Sequence, residues 1–222
     1  MEFNETRIKI DKFNDVLFRL SDSCSHDPEE LSKIISNIST ESVPEDTTAV
    51  SIGKDYKWGY TIFKKDDLFY KAHYVRRHLD RLSPFHNSWI LQKNYQLAKE
   101  REISVPELHG FFSLYKAGHG WIYSGSIEEN LSDCLTLDPS KEEDIYLMKN
   151  FINNVSEKKF VNYDMHFGNV MKDSSGKCIM VDLDNCDECF DPNLAKFVMQ
   201  NKCLSNISDE EIRWKVQKIF EL

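Results

Sequence analysis

Apolar residues recur at helical spacing twice near the N-terminus. Phe13, Val16, Leu17 and Leu20 fall on one face of a 3.6-residue period, and Leu31, Ile34, Ile35 and Ile38 do so again. The second run follows Asp27-Pro28, an N-cap residue and a first-turn proline, so a helix is expected to start there. Ser39 to Thr48 is polar, contains Pro44 and has no period, which marks a linker and sets residues 1–44 apart as a helical appendage. Two short amphipathic helices bury little against each other, so the appendage is expected to pack on the remaining chain or on a protein partner.

From Ala49 the pattern changes. Trp58 to Phe63 and Leu68 to Tyr74, joined by the charged turn Lys64 to Asp67, read as a β-hairpin. A helix from about Asn87 to Arg101 and strands near Phe111–Tyr115 and Gly120–Ser124 follow. Asp138-Pro139 signals another helix, with Ile145, Met148, Phe151, Ile152 and Val155 on one face. Then come Phe160 to Met171, a turn at Asp173-Ser-Ser-Gly176 and an apolar strand from Lys177 to Asp182. The capping box Ser208-Asp-Glu-Glu211 opens a last helix lined by Ile212, Val216 and Ile219. Strands grouped first and helices after them predict an α+β chain, residues 45–222 dividing into a sheet-bearing lobe at about 45–124 and a helical lobe at about 125–222.

Composition narrows the function classes. With 28 Lys+Arg against 37 Asp+Glu the chain carries a formal charge of −9, which excludes a diffuse basic surface for nucleic acid. No apolar run approaches the ~20 residues that span a bilayer, and Met1 to Asp15 is charged throughout, so the expected location is cytoplasmic. Six cysteines are scattered through a chain long enough to need no disulfides. Cys186 and Cys189 have ligand spacing and could recruit Cys178 and Cys203 for a metal, although small buried side chains beside a strand account for them more simply.

Three polar residues in apolar surroundings carry the candidate chemistry. Asp164 and Asn169 are five positions apart across a loop that contains Gly168, and Asp182 stands 18 positions after Asp164. A hairpin between the segments ending at Met171 and Asp182 would return Asp182 to the neighbourhood of Asn169. A carboxylate with a carboxamide suits Mg²⁺ that keeps water and substrate phosphate as its other ligands, and a second carboxylate can orient or deprotonate a hydroxyl.

Asp164-Met-His-Phe-Gly-Asn169 and Val181-Asp-Leu-Asp184 resemble the catalytic loop and metal-binding strand end of the protein-kinase-like fold, in its small-molecule and sugar kinase branch. Tyr123 to Leu135 is similar to the hinge segment of the bacterial lipopolysaccharide kinases, including those acting on 3-deoxy-D-manno-octulosonic acid, and the likeness covers Trp58 to about Phe190. It implies a compact two-lobed fold, with a small antiparallel sheet, a hinge near Ser124 to Ser126 and a short helical second lobe, 40 residues following Asp182. It further implies ATP and Mg²⁺ as cofactors, Asp164 as catalytic residue, Asn169 and Asp182 as metal ligands, and Lys71, Gly59, Tyr123 and His166 near the nucleotide. The implied acceptor is a hydroxyl, most naturally on a sugar, and a peripheral place at the inner membrane face would suit it. His166 could equally hold the loop, Asp184 could bind a second ion or cap a turn, and Arg76, Arg77 and Arg81 could meet an anionic acceptor, with His73 nearby, or form a solvated face.

The chain departs from the family pattern in three places. The glycine loop is reduced to Gly53 and Gly59 around Lys54 to Trp58, Asn162 stands where a His precedes the catalytic Asp, and Leu91-Gln92 occupies the place of the helix Glu that should pair with Lys71. An effector-type protein kinase and a catalytically inactive nucleotide- or partner-binding protein therefore remain open as alternatives.

Overall fold

The computed structural model describes residues 2–12, 14–38, 44–54, 59–75, 80–85 and 88–221, with backbone alone at 52–54 and 59. Phe13, residues 39–43 of the linker, Trp58 and the loop before it, Arg76, Arg77 and Asn87 lie outside the described residues. The chain is α+β and divides into two compact units, Met1–Trp89 with Glu107–Leu131, and Ile90–Pro106 with Ser132–Leu222.

The first unit is built on seven antiparallel strands: β1 (Phe3–Lys9), β2 (Asn14–Ser21), β3 (Thr48–Lys54), β4 (Gly59–Lys65), β5 (Leu68–Tyr74), β6 (Leu108–Lys116) and β7 (Gly120–Glu129), in the order β1-β2-β6-β7-β5-β4-β3. One helix, α1 (Pro28–Ser36), lies between β2 and β3 in sequence. It starts as its residues dictate: Asp27 accepts a hydrogen bond from the Glu29 amide at 3.0 Å, and Pro28 takes the first position. The β4–β5 hairpin also forms as expected, closing at Asp66 and Asp67, with Asp66 at φ 53.

The N-terminal segment corrects the expectation. Where helical spacing pointed to a first helix, residues 14–21 form β2, hydrogen-bonded on one side to β1 and on the other to β6. Val16, Phe18 and Leu20 are buried and the residues between them half-buried, so the same run satisfies a period of two. Pairing on both edges gives each backbone amide and carbonyl a partner, which a lone short helix with one apolar face could not match. Residues 1–44 are therefore not an appended helical pair. They supply two strands of the sheet and a helix whose Leu31 and Ile35, with Ile38 just beyond it, join Phe18, Tyr70, Ala72, Phe112 and Ile127 in one core.

The expected hinge is also corrected. Ser124 to Ser126 lie inside β7, paired to β5 on one side and β6 on the other, and the chain leaves the first unit after Trp89 and, for the last time, after Leu131.

The second unit opens within α2 (Ser88–Glu100) and continues through β8 (Leu135–Thr136), α3 (Glu142–Glu157), β9 (Phe160–Asn162), β10 (Val170–Lys172), β11 (Cys178–Met180), β12 (Cys186–Glu188), α4 (Pro192–Ser205) and α5 (Glu210–Phe220). Its strands make two small sheets, β11-β10-β8 and β12-β9. The lobe division expected from sequence placed α2 with the strands, yet its bonds lie with the second unit: Asn94 Nδ2 donates to the Leu183 carbonyl at 2.6 Å, Lys93 pairs with Asp187 at 3.2 Å, and Arg101 pairs with Glu188. Just beyond it, the Ser104 carbonyl accepts from the Met180 amide at 2.9 Å.

Helix α3 begins later than Asp138-Pro139 suggested. The Asp138 carboxylate is engaged locally by the Ser140 amide and hydroxyl, a turn that competes with capping, and the helix is capped by the backbone of Lys141. Its apolar face is as expected, with Ile145, Met148, Ile152 and Val155 buried. At α5 the cap is Asp209, accepting from the Glu211 and Ile212 amides, rather than Ser208. Helix α4 went unread in the sequence, although Asp191-Pro192 carries the same signature as Asp27-Pro28 and Asp191 caps it. Among the described residues no helix is long and apolar enough to cross a membrane.

Candidate active site

The loop after β9 is organised by Asn162. Strand β9 pairs with β12, Asn162 opposite Cys186, and the Asn162 side chain is 0% exposed. A buried carboxamide must satisfy both its ends. Its Oδ1 accepts from the Asp164 amide at 2.8 Å, and its Nδ2 donates to the Asp182 carbonyl at 3.1 Å, with Met180 Sδ at 3.6 Å. One side chain thus ties the backbone of Asp164 to that of Asp182.

Asn169 makes the second set of ties. It ends a single 3-10 turn, Phe167–Asn169, whose amide donates to the His166 carbonyl at 2.9 Å. Its Nδ2 donates to the Asp164 carbonyl at 3.0 Å, and its own carbonyl accepts from the Val181 amide at 2.9 Å. The hairpin expected from sequence is present, Val170 opposite Met180 and Met171 opposite Ile179. Asp164, Asn169 and Asp182 are therefore brought together by backbone and carboxamide bonds.

Asp182 itself is not on a strand. Strand β11 ends at Met180, and Asp182 sits two residues beyond in the left-handed region, φ 61, held between Val181 and the wholly buried Leu183. A non-glycine residue there costs about 1 kcal/mol or more and is retained where surrounding structure over-determines it, as the Asn162 bond does here. Its Oδ1 is shielded from solvent. Asp184 is exposed in the turn that follows. Gly168 lets the His166 ring lie close: a Cβ on residue 168 would stand 2.9 Å from the His166 Cε1.

The Asp164 carboxylate has a cationic neighbour that sequence reading missed. Lys202 of α4 places its Nζ 3.2 Å from Asp164 Oδ1, the two side chains being 39% and 37% exposed. The missed Asp191-Pro192 signal would have located the helix but not this contact, which joins residues 38 positions apart.

In the first unit, Lys71 is at the middle of β5, opposite Ser126 of β7. Its Nζ lies 3.7 Å from the Glu128 carboxylate, with the side chains 12% and 3% exposed, and Ser126 Oγ donates to the same Glu128 oxygen at 2.6 Å. The carboxylate that sequence reading sought on α2 is thus supplied to Lys71 by the neighbouring strand, two positions along on the same face. His73 shares that face by alternation.

Tyr123, expected near a nucleotide, points to the other face. It belongs to the core with Ile127 and packs edge-on to Tyr74 with ring centroids 5.3 Å apart; burial pushes its hydroxyl up to about 12. Gly59 opens β4, opposite Tyr74. Arg81, expected at a solvated or acceptor-facing surface, is buried, donating to the Val75 carbonyl at 2.6 Å and the Tyr74 hydroxyl at 2.9 Å. The six cysteines are free thiols; Cys186 is buried in β12, and Cys189 Sγ donates to the Asp191 carbonyl at 3.3 Å. Among the described residues, no group of three or more His, Cys, Asp or Glu side chains is arranged to hold a metal ion.

No protein-family model matches the chain, and no curated protein does. Among solved structures, one described as WaaP in complex with acyl carrier protein is similar over 78% of this chain and 78% of its own, with a TM-score of 0.48 at 8% identity. Two structures of WbdD, one described as a bifunctional kinase-methyltransferase, are similar over 73% and 78% of this chain and 47% and 51% of theirs, with TM-scores of 0.42 at 12% and 11% identity. These three likenesses have TM-scores below 0.5, and the chemistry of this chain rests on its own residues.

Proposed function

We propose that the chain is an ATP-dependent phosphotransferase acting on a hydroxyl acceptor, most naturally on a sugar. The observation that carries this reading is the convergence of Asp164, Asn169 and Asp182 through the carboxamides of the buried Asn162 and of Asn169 itself. Asn169 uses its Nδ2 on the Asp164 carbonyl, which leaves its Oδ1 as an acceptor for a cation, and Asp182 adds a carboxylate. Two such oxygens fit Mg²⁺, whose other ligands are phosphate oxygens and water. When bound, Mg²⁺ neutralises charge on the transferred phosphoryl group.

Asp164 orients the acceptor hydroxyl and takes its proton. Within the first unit, Glu128 gives Lys71 a carboxylate partner and so answers the absence of a helix Glu, one of the features that favoured an inactive protein. The sugar acceptor draws its support from the resemblance of the Asp164–Asn169 loop to sugar kinases.

Thermal-shift titration with Mg²⁺ and ATP tests the nucleotide site, and an unchanged melting temperature would remove it. Radiolabelled phosphate transfer, assayed separately to sugar-lipid and to cytosolic protein extracts, tests the acceptor. Label confined to protein would replace the sugar reading with an effector-type protein kinase.

A further inference from the structure

We propose that Lys202 is a positioning residue of the transfer reaction, holding Asp164 Oδ1 so that Oδ2 is the oxygen that receives the acceptor's proton. The inference rests on the phosphotransferase reading and adds to it a residue that lies outside the loop and hairpin.

The loop bonds described above fix the backbone of Asp164 on both sides, through its amide and its carbonyl, but they leave the carboxylate free to rotate. A carboxylate that can present either oxygen is poorly oriented for proton transfer, which needs heavy atoms about 2.6–3.2 Å apart in one geometry. Lys202 removes that freedom at 3.2 Å. Its helix is well anchored: Asp191 caps the N-terminus, and Ala195, Met199 and Cys203, spaced four apart on one face, are wholly buried. Helix α4 packs against β9, the strand that leads directly into Asp164, so the stem of Lys202 and the backbone of the base share one support.

Stability does not explain the pair. Ion pairs this exposed contribute little to folding, and the last-turn position of Lys202 in α4 favours a cation only modestly, without calling for its contact with Asp164. In the step proposed, the acceptor O–H proton passes to Asp164 Oδ2 while the acceptor oxygen bonds to the γ-phosphorus of ATP. The bond from that phosphorus to the bridging oxygen breaks, and its electron pair leaves with ADP. Lys202 remains protonated and exchanges no atom.

The test uses the full chain with Mg²⁺ and ATP and takes water as the acceptor, read as release of inorganic phosphate. Lys202→Met is expected to lower kcat about 10- to 100-fold with KM for ATP within about twofold. Lys202→Arg should recover most of the rate, and Lys202→Met should add nothing in an Asp164→Ala background. The melting temperature of Lys202→Met should stay within about 3 °C of wild type. Unchanged or faster hydrolysis in Lys202→Met overturns this inference alone, the faster rate making the pair an inhibitory latch. A wild type stabilised by Mg²⁺ and ATP that releases no phosphate also overturns it while leaving a nucleotide site, and a wild type that neither binds nor hydrolyses ATP overturns the phosphotransferase reading with it.

Discussion

Asp164 and Asn162 are neighbours with opposite duties, and substitution should separate them. Asp164 is more than a third exposed and its carboxylate supports no backbone bond among the described contacts, so Asp164→Ala should fold normally. Its phosphoryl transfer should fall by about 10²- to 10⁴-fold with nucleotide-induced stabilisation retained, measurable by turnover beside a thermal-shift titration. Asn162→Ala should do the reverse damage first. It strips partners from the Asp164 amide and the Asp182 carbonyl in a fully buried place, at about 1–3 kcal/mol for each group left unsatisfied. Urea denaturation would register that loss, and an unshifted midpoint would show that water replaces the carboxamide.

Two elements of the first unit make separate predictions. The Lys71–Glu128 pair lies within one sheet, between β5 and β7, so its formation does not depend on where a helix stands. Glu128→Ala leaves a nearly buried ammonium with less compensation and should destabilise by about 2–3 kcal/mol, more than the double replacement Lys71→Met, Glu128→Leu, which removes both charges. Comparing the two by urea midpoint decides whether the pair is coupled. The second element is the N-terminal strand pair with α1: β2 extends the sheet beside β6, and Leu31 and Ile35 of α1 share a core with Tyr70, Ala72, Phe112 and Ile127, residues that lie on one face of it. Deleting residues 1–38 would bare that face and the free edge of β6, so the truncated protein should bind a hydrophobic dye and aggregate. A truncated chain that stays monomeric and equally stable would show the covering to be dispensable.

For the molecule as a whole, acid is the expected weakness. Asp138 and Asp173 are held below the usual carboxylate value of 3.8 by hydrogen bonds from Ser140 and Ser175, and Asp187 by the Glu188 amide and then Lys93. A carboxylate lowered in the folded state stabilises above its unfolded value, and that stabilisation is lost as pH falls through the lower folded value. Stability should therefore hold down to about pH 4 and decline below it. Ser175→Ala should move the acid midpoint upward, read by circular dichroism at constant ionic strength; an unmoved midpoint would mean the Lys177 and Ser175 amides suffice for Asp173.

Short-range features were legible along the chain. Asp27-Pro28 specified where α1 starts, charged residues at 64–67 specified the β4–β5 turn, and the spacing of Asp164, Asn169 and Asp182 around a hairpin announced their meeting. The first two depend on turns a few residues long, and the third on a short hairpin whose arms are close in sequence, so nearby sequence carries them. The run from Asn14 to Ser21 was ambiguous because Val16, Leu17 and Leu20 fit a helix while Val16, Phe18 and Leu20 fit a strand, and pairing with β6, about a hundred residues away, settled it. Glu128 beside Lys71 and Lys202 beside Asp164 were likewise out of reach. Which carboxylate meets which cation depends on strand register and helix docking, and those follow from the burial of whole faces rather than from the spacing of the charges.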